Sequence, residues 1–167
     1  MRYVCPGSFD PITYGHVDII QRGAKLCHHM VVAVLDNPAK SLLFSANERA
    51  GFIERALKEC GINAEVDVFS GLLADYAKKK EADAILRGLR NPQDFLTEYQ
   101  YSVYNKKLSG GVETIFLPGS HNFSYVSSSI VKEAAKLLYE NGCECSAIDE
   151  WVPPNVKEAL MSKFIKG

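Results

Sequence analysis

The sequence predicts one α/β domain over residues 1–167, built on a parallel five-stranded sheet with helices on both faces. A length of 167 residues is typical of a single domain. The content of 47% hydrophobic and 23% charged residues is the ordinary balance of a globular protein. Short apolar runs alternate along the chain with stretches of helical periodicity. This alternation favours a Rossmann-like fold, in which helices connect parallel strands.

Five apolar runs of strand length are predicted to form the sheet. They are Arg2–Cys5, Met30–Leu35, Ala64–Phe69, Ala82–Leu86 and Val112–Leu117. Most are rich in β-branched or other apolar residues and are too short for helices, so a strand is the favoured interpretation of each.

The predicted helices are marked by capping residues and by apolar residues on one face. Caps are expected at Thr13, at Ser45 with Glu48, at Asn91 before Pro92, and within Ser127–Ser129. Asn141–Gly142 is a helix stop, and Trp151–Pro154 predicts a corner before a last helix. The helix that holds Tyr99, Tyr101 and Tyr104 carries aromatic residues that suit either a contact surface or core packing.

Charge and composition exclude several classes of partner. A formal net charge of −1 gives no field that would attract long nucleic acid. The apolar run of Met30–Leu35 is far too short to span a membrane, and no signal segment is visible. Five scattered cysteines indicate reduced thiols and a cytoplasmic location. The pair Cys143 and Cys145 does not match a zinc signature, and we expect no protein metal site.

Residues suited to binding phosphate follow four of the predicted strands. Gly7, Ser8 and His16 follow the first strand and lead into a helix, and Lys40 follows the second. Because the carboxyl ends of parallel strands meet at one edge of a sheet, residues that follow different strands are expected to converge.

The fourth and fifth strands add to this pattern. Arg87 and Arg90 flank Gly88 after the fourth strand, and arginine forks match phosphate oxygens. Hydroxyls at Ser124 and Ser127–Ser129 follow the fifth strand at a helix start. Together these residues predict a polyphosphate site, and the absence of an activated nucleophile from these loops favours phosphoryl-type transfer.

Three motifs resemble those of a known family. Gly7–Pro11 with Thr13, Gly15 and His16 is similar to the first signature of the nucleotidyltransferase superfamily, and Val126–Lys132 is similar to its second. The stretch from Arg87 to Glu98 resembles the segment characteristic of bacterial phosphopantetheine adenylyltransferases. The resemblance extends from about Tyr3 to the last helix.

The resemblance implies that the adenylyl group of ATP is transferred to 4′-phosphopantetheine with Mg²⁺, in a homohexamer. It implies candidate catalytic residues at His16, Lys40, Arg87 and Arg90. It implies contacts to phosphopantetheine from Ser8, Lys40, Leu73 and Arg87. It implies contacts to ATP from Ser8, Phe9, His16, Gly88, Leu89, Arg90, Glu98, Phe123, Ser124, Tyr125, Val126, Ser127, Ser128 and Ser129.

Two alternatives stay open at this point. One is a sister enzyme that adenylates nicotinamide mononucleotide or transfers a cytidylyl group to a polyol phosphate, although the stretch from Arg87 to Glu98 argues against it. The other is an ATP-binding module without catalysis, which would not need both His16 and Lys40. The acceptors that release pyrophosphate would distinguish these alternatives.

Overall fold

The computed structural model describes residues 1–143 and 146–165, and within them it confirms the predicted α/β fold. One parallel sheet has the strand order β3-β2-β1-β4-β5. Its strands are β1 Arg2–Gly7, β2 His29–Leu35, β3 Glu65–Phe69, β4 Ala84–Leu89 and β5 Glu113–Pro118. The strand order reverses between β1 and β4, which is the point where ligands bind in open parallel sheets.

The described helices cover both faces of this sheet. They are α1 Tyr14–Ala24, α2 Ala46–Glu59, α3 Leu73–Lys79, α4 Pro92–Ser109, α5 Ser128–Glu140, α6 Ala147–Trp151 and α7 Pro154–Phe164. One core cluster packs alternate strand residues against α1, α2 and α5–α7, and a second packs the other set against α3. No helix in the described part of the chain is both long and apolar enough to cross a membrane.

The observed element boundaries correct the prediction at three places. β4 begins at Ala84 and continues to Leu89, so Arg87, Gly88 and Leu89 belong to the strand and not to a loop. The reason is their parallel pairing with Phe116–Pro118 of β5. β1 likewise extends to Gly7 through its pairing with β2. The short helix α6 was not predicted, because one turn is too brief to show a periodic pattern.

Helix α4 has an inverted arrangement of polar and apolar residues. Its less exposed positions are polar, namely Asp94, Glu98, Ser102, Asn105 and Ser109. Its exposed positions include seven large apolar residues, namely Phe95, Leu96, Tyr99, Tyr101, Val103, Tyr104 and Leu108. The three tyrosines are between 55% and 64% exposed, so core packing does not explain them and the alternative of a contact surface remains.

Candidate active site

A cavity of about 320 Å³ lies at the carboxyl edge of the sheet, beside β1 and β4. It brings together most of the residues that the sequence predicted. These are Ser8, Phe9, His16, Arg87, Gly88, Leu89, Arg90, Glu98, Phe123, Val126, Ser127, Ser128 and Ser129. The rule that residues after different parallel strands converge therefore holds for three of the four predicted segments.

Four predicted residues lie outside the lining of this cavity. Lys40 lies on an exposed turn after β2, where its backbone N–H donates to the carbonyl of Asn37. Leu73 is the first residue of α3. Ser124 and Tyr125 line a second, more open pocket that shares Phe123 with the cavity. Their proposed contacts to substrates remain predictions.

The imidazole of His16 is fixed by the cap of helix α1. The backbone N–H of Thr13 donates to Nδ1 of His16 at 3.0 Å, and the Thr13 hydroxyl lies 3.0 Å from the same nitrogen. Because a backbone N–H can only donate, Nδ1 must be the acceptor. The neutral ring therefore carries its proton on Nε2, which makes Nε2–H a hydrogen-bond donor.

His16 stays uncharged in this environment. Burial lowers its pKa from 6.5 to about 4, and the positive charges of Arg90 and Arg87 act in the same direction. The ring of Phe9 meets the imidazole edge-on with 5.2 Å between centroids. That phenyl ring lies over Gly7, where a Cβ atom would come within 2.9 Å of it. Gly7 is thus required for the close approach of this loop to the strand.

Both arginines of the cavity are paired with acidic residues from α4. Arg87 donates from Nε to Glu98 at 2.7 Å and also from Nη2 to the second carboxylate oxygen. Arg90 donates from Nε and Nη2 to the two carboxylate oxygens of Asp94, at 3.0 and 3.2 Å. The formal charges of these four residues cancel, so the cavity offers directed N–H groups and not a strong positive field.

A glycine in β4 sets the distance between the two sides of the cavity. A Cβ atom on Gly88 would lie 2.8 Å from Cγ1 of Ile19 in α1. Because real Cβ contacts are not that short, α1 packs this closely on β4 only with glycine at the position. The close packing places His16, at the start of α1, opposite Arg87 of β4 and Arg90, which follows β4.

The three serines at the start of α5 have different tasks. The Ser127 hydroxyl accepts from the backbone N–H of Ile130 at 3.2 Å and so caps the helix. The Ser128 hydroxyl donates to the carbonyl of Pro11 at 2.8 Å, which ties α5 to the loop before α1. The hydroxyls of Ser127 and Ser128 are thus engaged in hydrogen bonds that hold the fold together. The better candidates for holding an anion are the backbone N–H groups in the first turn of α5 and the hydroxyl of Ser129.

A buried ionic network behind the cavity could not be foreseen from the sequence. Asp10 accepts hydrogen bonds from the backbone N–H groups of Leu43 and Phe44, both at 3.0 Å, and pairs with Lys132 of α5 at 2.6 Å. Arg49 is 1% exposed and donates to the backbone carbonyls of three residues. These are Ser8, Leu35 and Phe44. The network joins the ends of β1 and β2 to the start of α5.

The described residues around this cavity contain neither a metal-binding cluster nor a cysteine thiolate. Among the described residues, no three histidine, cysteine or acidic side chains lie close enough to hold a metal ion. Cys145, the second member of the pair with Cys143, lies outside the described residues. Cys5 lies at the cavity, but burial raises the pKa of its thiol to about 11, so it remains a protonated thiol at neutral pH.

Comparisons with known proteins identify relatives of this chain. The chain matches the model of the cytidylyltransferase-like family over residues 4–134. It is 52% identical to a phosphopantetheine adenylyltransferase of Caldanaerobacter subterraneus subsp. tengcongensis, with 98% of each chain covered. It is 50% identical to a phosphopantetheine adenylyltransferase of Geobacter metallireducens, with 98% of this chain and 95% of that protein covered.

A solved structure supports the fold. The nicotinic acid mononucleotide adenylyltransferase of Plasmodium falciparum, complexed with NaAD, superposes with a TM-score of 0.65. The alignment covers 98% of this chain and 94% of that one at 15% sequence identity, which is evidence for a common fold alone.

Proposed function

The chain belongs to the cytidylyltransferase-like family and, within it, to the phosphopantetheine adenylyltransferases, and we propose on that premise that it transfers the adenylyl group of ATP to 4′-phosphopantetheine. The products are dephospho-coenzyme A and pyrophosphate, and the transfer is reversible. The observation that carries the proposal is the cavity in which His16, two arginines and the start of α5 meet.

The reaction is an in-line displacement at the α-phosphorus of ATP. A phosphate oxygen of 4′-phosphopantetheine forms a bond to that phosphorus, and the bond to the leaving pyrophosphate oxygen breaks. The nucleophile is already anionic, so no strong base is required. Catalysis then depends on positioning and on stabilising the charge of the transition state.

On the nucleotide side, His16 is the catalytic residue that donates from Nε2–H to an α-phosphate oxygen. Its neutral state suits this task, because the donor keeps its position and does not exchange a proton during the step. Ser8, Phe9 and the first-turn amides of α5 hold phosphate oxygens of ATP. The remaining nucleotide contacts come from Gly88, Leu89 and Arg90, and from the segment Phe123–Ser129.

On the acceptor side, Arg87 and Lys40 bind the phosphate of 4′-phosphopantetheine, and Leu73 contacts its pantetheine arm. Arg87 lines the cavity. Lys40 lies on an exposed turn, so its contribution requires that this turn approach the bound substrate. Lys40→Ala is therefore expected to weaken use of the acceptor more than binding of ATP, and equal losses on both substrates would contradict this assignment.

We further propose that Mg²⁺ enters this site with ATP. The donor set fits an ion held mainly by phosphate oxygens, because the nearby carboxylates of Asp94 and Glu98 are paired with arginines. Hydroxyl oxygens of Ser8 and Ser129, which line the cavity, are the protein groups of suitable chemistry. When bound, the ion supplies positive charge to the triphosphate.

A homohexamer is proposed for the assembly, and a cytoplasmic location for the enzyme. The seven exposed apolar residues of α4, opposite its polar inward face, are the reason to expect contact with another copy. Free thiols at Cys5, Cys27, Cys60 and Cys143 suit a reducing compartment. Tyr104→Glu, at an exposed position of α4, should reduce the mass measured by sedimentation, and an unchanged mass would exclude this face from the interface.

The activity is tested by measuring pyrophosphate release from ATP with a panel of acceptors. We expect release only when 4′-phosphopantetheine is the acceptor. Release with nicotinamide mononucleotide, or only from CTP with a polyol phosphate, would assign the chain to a sister activity. Binding of ATP without release for any acceptor would leave a nucleotide-binding module.

A further inference from the structure

Arg87 and Glu98 connect a strand and a helix inside the cavity. Arg87 is a residue of β4, and Glu98 lies on the inward polar face of α4. The guanidinium donates to Glu98 from Nε at 2.7 Å and from Nη2, and it donates from Nη1 to the carbonyl of Pro6 in β1. Three elements of the fold therefore meet at one side chain.

These contacts leave Arg87 with a defined pair of free donors. An arginine has five N–H groups, and three of them are used by Glu98 and Pro6. Among the described residues, none accepts from the remaining N–H on Nη1 or on Nη2. Because the bonds to Glu98 and Pro6 determine the plane of the guanidinium, they also determine the direction of the two remaining donors.

Glu98 is engaged mainly by Arg87. Its side chain is 16% exposed, and both carboxylate oxygens already accept from Arg87. A carboxylate directed at a triphosphate would also repel it. The contact between Glu98 and ATP that the family resemblance implies stays a prediction, and the experiment below distinguishes it from a role through Arg87.

We propose that Glu98 is a positioning residue that acts through Arg87, holding its guanidinium so that the two free N–H groups meet the phosphate of the acceptor. The proposal rests on the function proposed above. Burial is the largest single influence and disfavours the charge on Arg87. The hydrogen bonds and the charge of Glu98, together with smaller contributions from neighbours such as Asp94, outweigh it and raise the pKa of the guanidinium. Without Glu98, the arginine retains its charge but loses its fixed direction.

The test is a double-mutant cycle with Glu98→Gln and Arg87→Ala. Glutamine keeps the shape of glutamate and loses the charge and one acceptor. In E98Q, the KM for 4′-phosphopantetheine should rise about tenfold, as expected for losing one charge-assisted hydrogen bond. The Kd for ATP, measured by calorimetry, should change by less than about twofold. In the R87A background, the added E98Q change should have no further effect on either substrate.

The opposite pattern would overturn the proposal. If E98Q weakens ATP binding equally with and without Arg87, Glu98 contacts the nucleotide and does not act through the arginine. Glu98→Asp keeps the charge on a shorter side chain, and an intermediate KM is expected for it. This variant also keeps the test available if E98Q is too unstable to assay.

Glu113→Gln is the matched control. Glu113 pairs with Lys106 of α4 on the exposed surface, outside the cavity lining. This variant removes the same charge from a partner of the same helix, so both substrate constants should stay at the wild-type values. A tenfold change in KM would show that α4 responds to any lost ion pair.

A readout without turnover separates this proposal from the proposed function. In protein labelled with ¹⁵N-arginine, the Nε–H signal of Arg87 should exchange slowly with water, and it should broaden or disappear in E98Q. An Nε–H signal unchanged by E98Q would contradict the positioning role whatever the acceptor is. If the wild-type protein does not use 4′-phosphopantetheine but its Arg87 Nε–H signal depends on Glu98, the proposed function is wrong. The positioning of Arg87 by Glu98 is then still supported.

Discussion

The two sides of the cavity are held in place by different forces. One side, here called the helix-start wall, consists of Thr13, His16 and Ser127–Ser129, and hydrogen bonds at the starts of α1 and α5 fix it. The other side, the ion-pair wall, consists of Arg87 and Arg90 with Glu98 and Asp94, and salt bridges to α4 fix it.

This difference determines what each wall depends on. The helix-start wall is made of neutral donors attached to elements that pack in the main core, so its geometry follows from the fold itself. The ion-pair wall depends on the position of α4, a helix whose only buried residue among those described is Ser109. We expect substitutions in the first wall to affect chemistry and stability, and substitutions in the second to affect substrate affinity.

The largest effect is expected from His16→Ala. Removing a preorganised donor from the transition state should lower kcat by on the order of 10² or more. The measurement is pyrophosphate release at saturating substrates, with circular dichroism to show that the fold is intact.

His29→Ala is the control for this variant. His29 is an exposed histidine that pairs with Glu65 at 2.8 Å. Both residues lie at the amino ends of their strands, opposite the edge that holds the cavity. It should retain wild-type turnover. A turnover near the wild-type value in H16A would remove His16 from the mechanism.

A smaller effect, on stability, is expected from Asp10→Asn, which changes the anchor of the helix-start wall. The amide can accept from only one of the two backbone N–H groups that Asp10 now serves, and it presents a donor to the other. The free energy of unfolding should fall by about 2 kcal/mol, the cost of a buried donor without a partner.

Asp36→Asn provides the comparison in urea denaturation. Asp36 is half exposed and lies 3.8 Å from Arg49, so its loss should cost at most about 0.5 kcal/mol. If both variants lose the same stability, the buried position of Asp10 has no special importance.

A third effect concerns pH. The pKa of His16 is lowered to about 4 in the folded protein, against 6.5 for an unperturbed histidine. Between these values the unfolded chain binds the additional proton, so the contribution of His16 to stability is lost as the pH falls from 6.5 towards 4. Unfolding measured at several pH values should show this decline in the wild type and a weaker decline in His16→Gln, whose side chain does not titrate. Equal slopes in the two proteins would contradict the lowered pKa.

Much of the helix-start wall was predictable from local sequence. Capping depends on residues three positions apart, so Thr13, Ser45, Asn91 and Ser127 could be identified, and the structure confirms a side-chain cap at each. Two of these caps, Thr13 and Ser127, follow predicted strands and line the cavity.

The ion-pair wall was only half predictable. The sequence indicates Arg87 and Arg90, but no local rule relates Arg87 to Glu98 eleven positions later, since the contact depends on how α4 packs beside β4.

The buried network of Arg49 and Asp10 was not predictable. Arg49 follows a capping box and resembles a surface residue, because a cap does not show which side of the helix faces the core. The same limit applies to Asp10, whose partners come from two distant segments.

The contact between Gly88 and Ile19 has a consequence for how this enzyme can change over evolutionary time. Since a methyl group added at position 88 would lie only 2.8 Å from Ile19, neither position can gain volume alone without separating the two halves of the catalytic centre. Position 88 could accept alanine only after position 19 had become smaller. The order of the two substitutions is thereby constrained, and the histidine-to-arginine spacing is protected by a size trade-off between residues that perform no chemistry themselves.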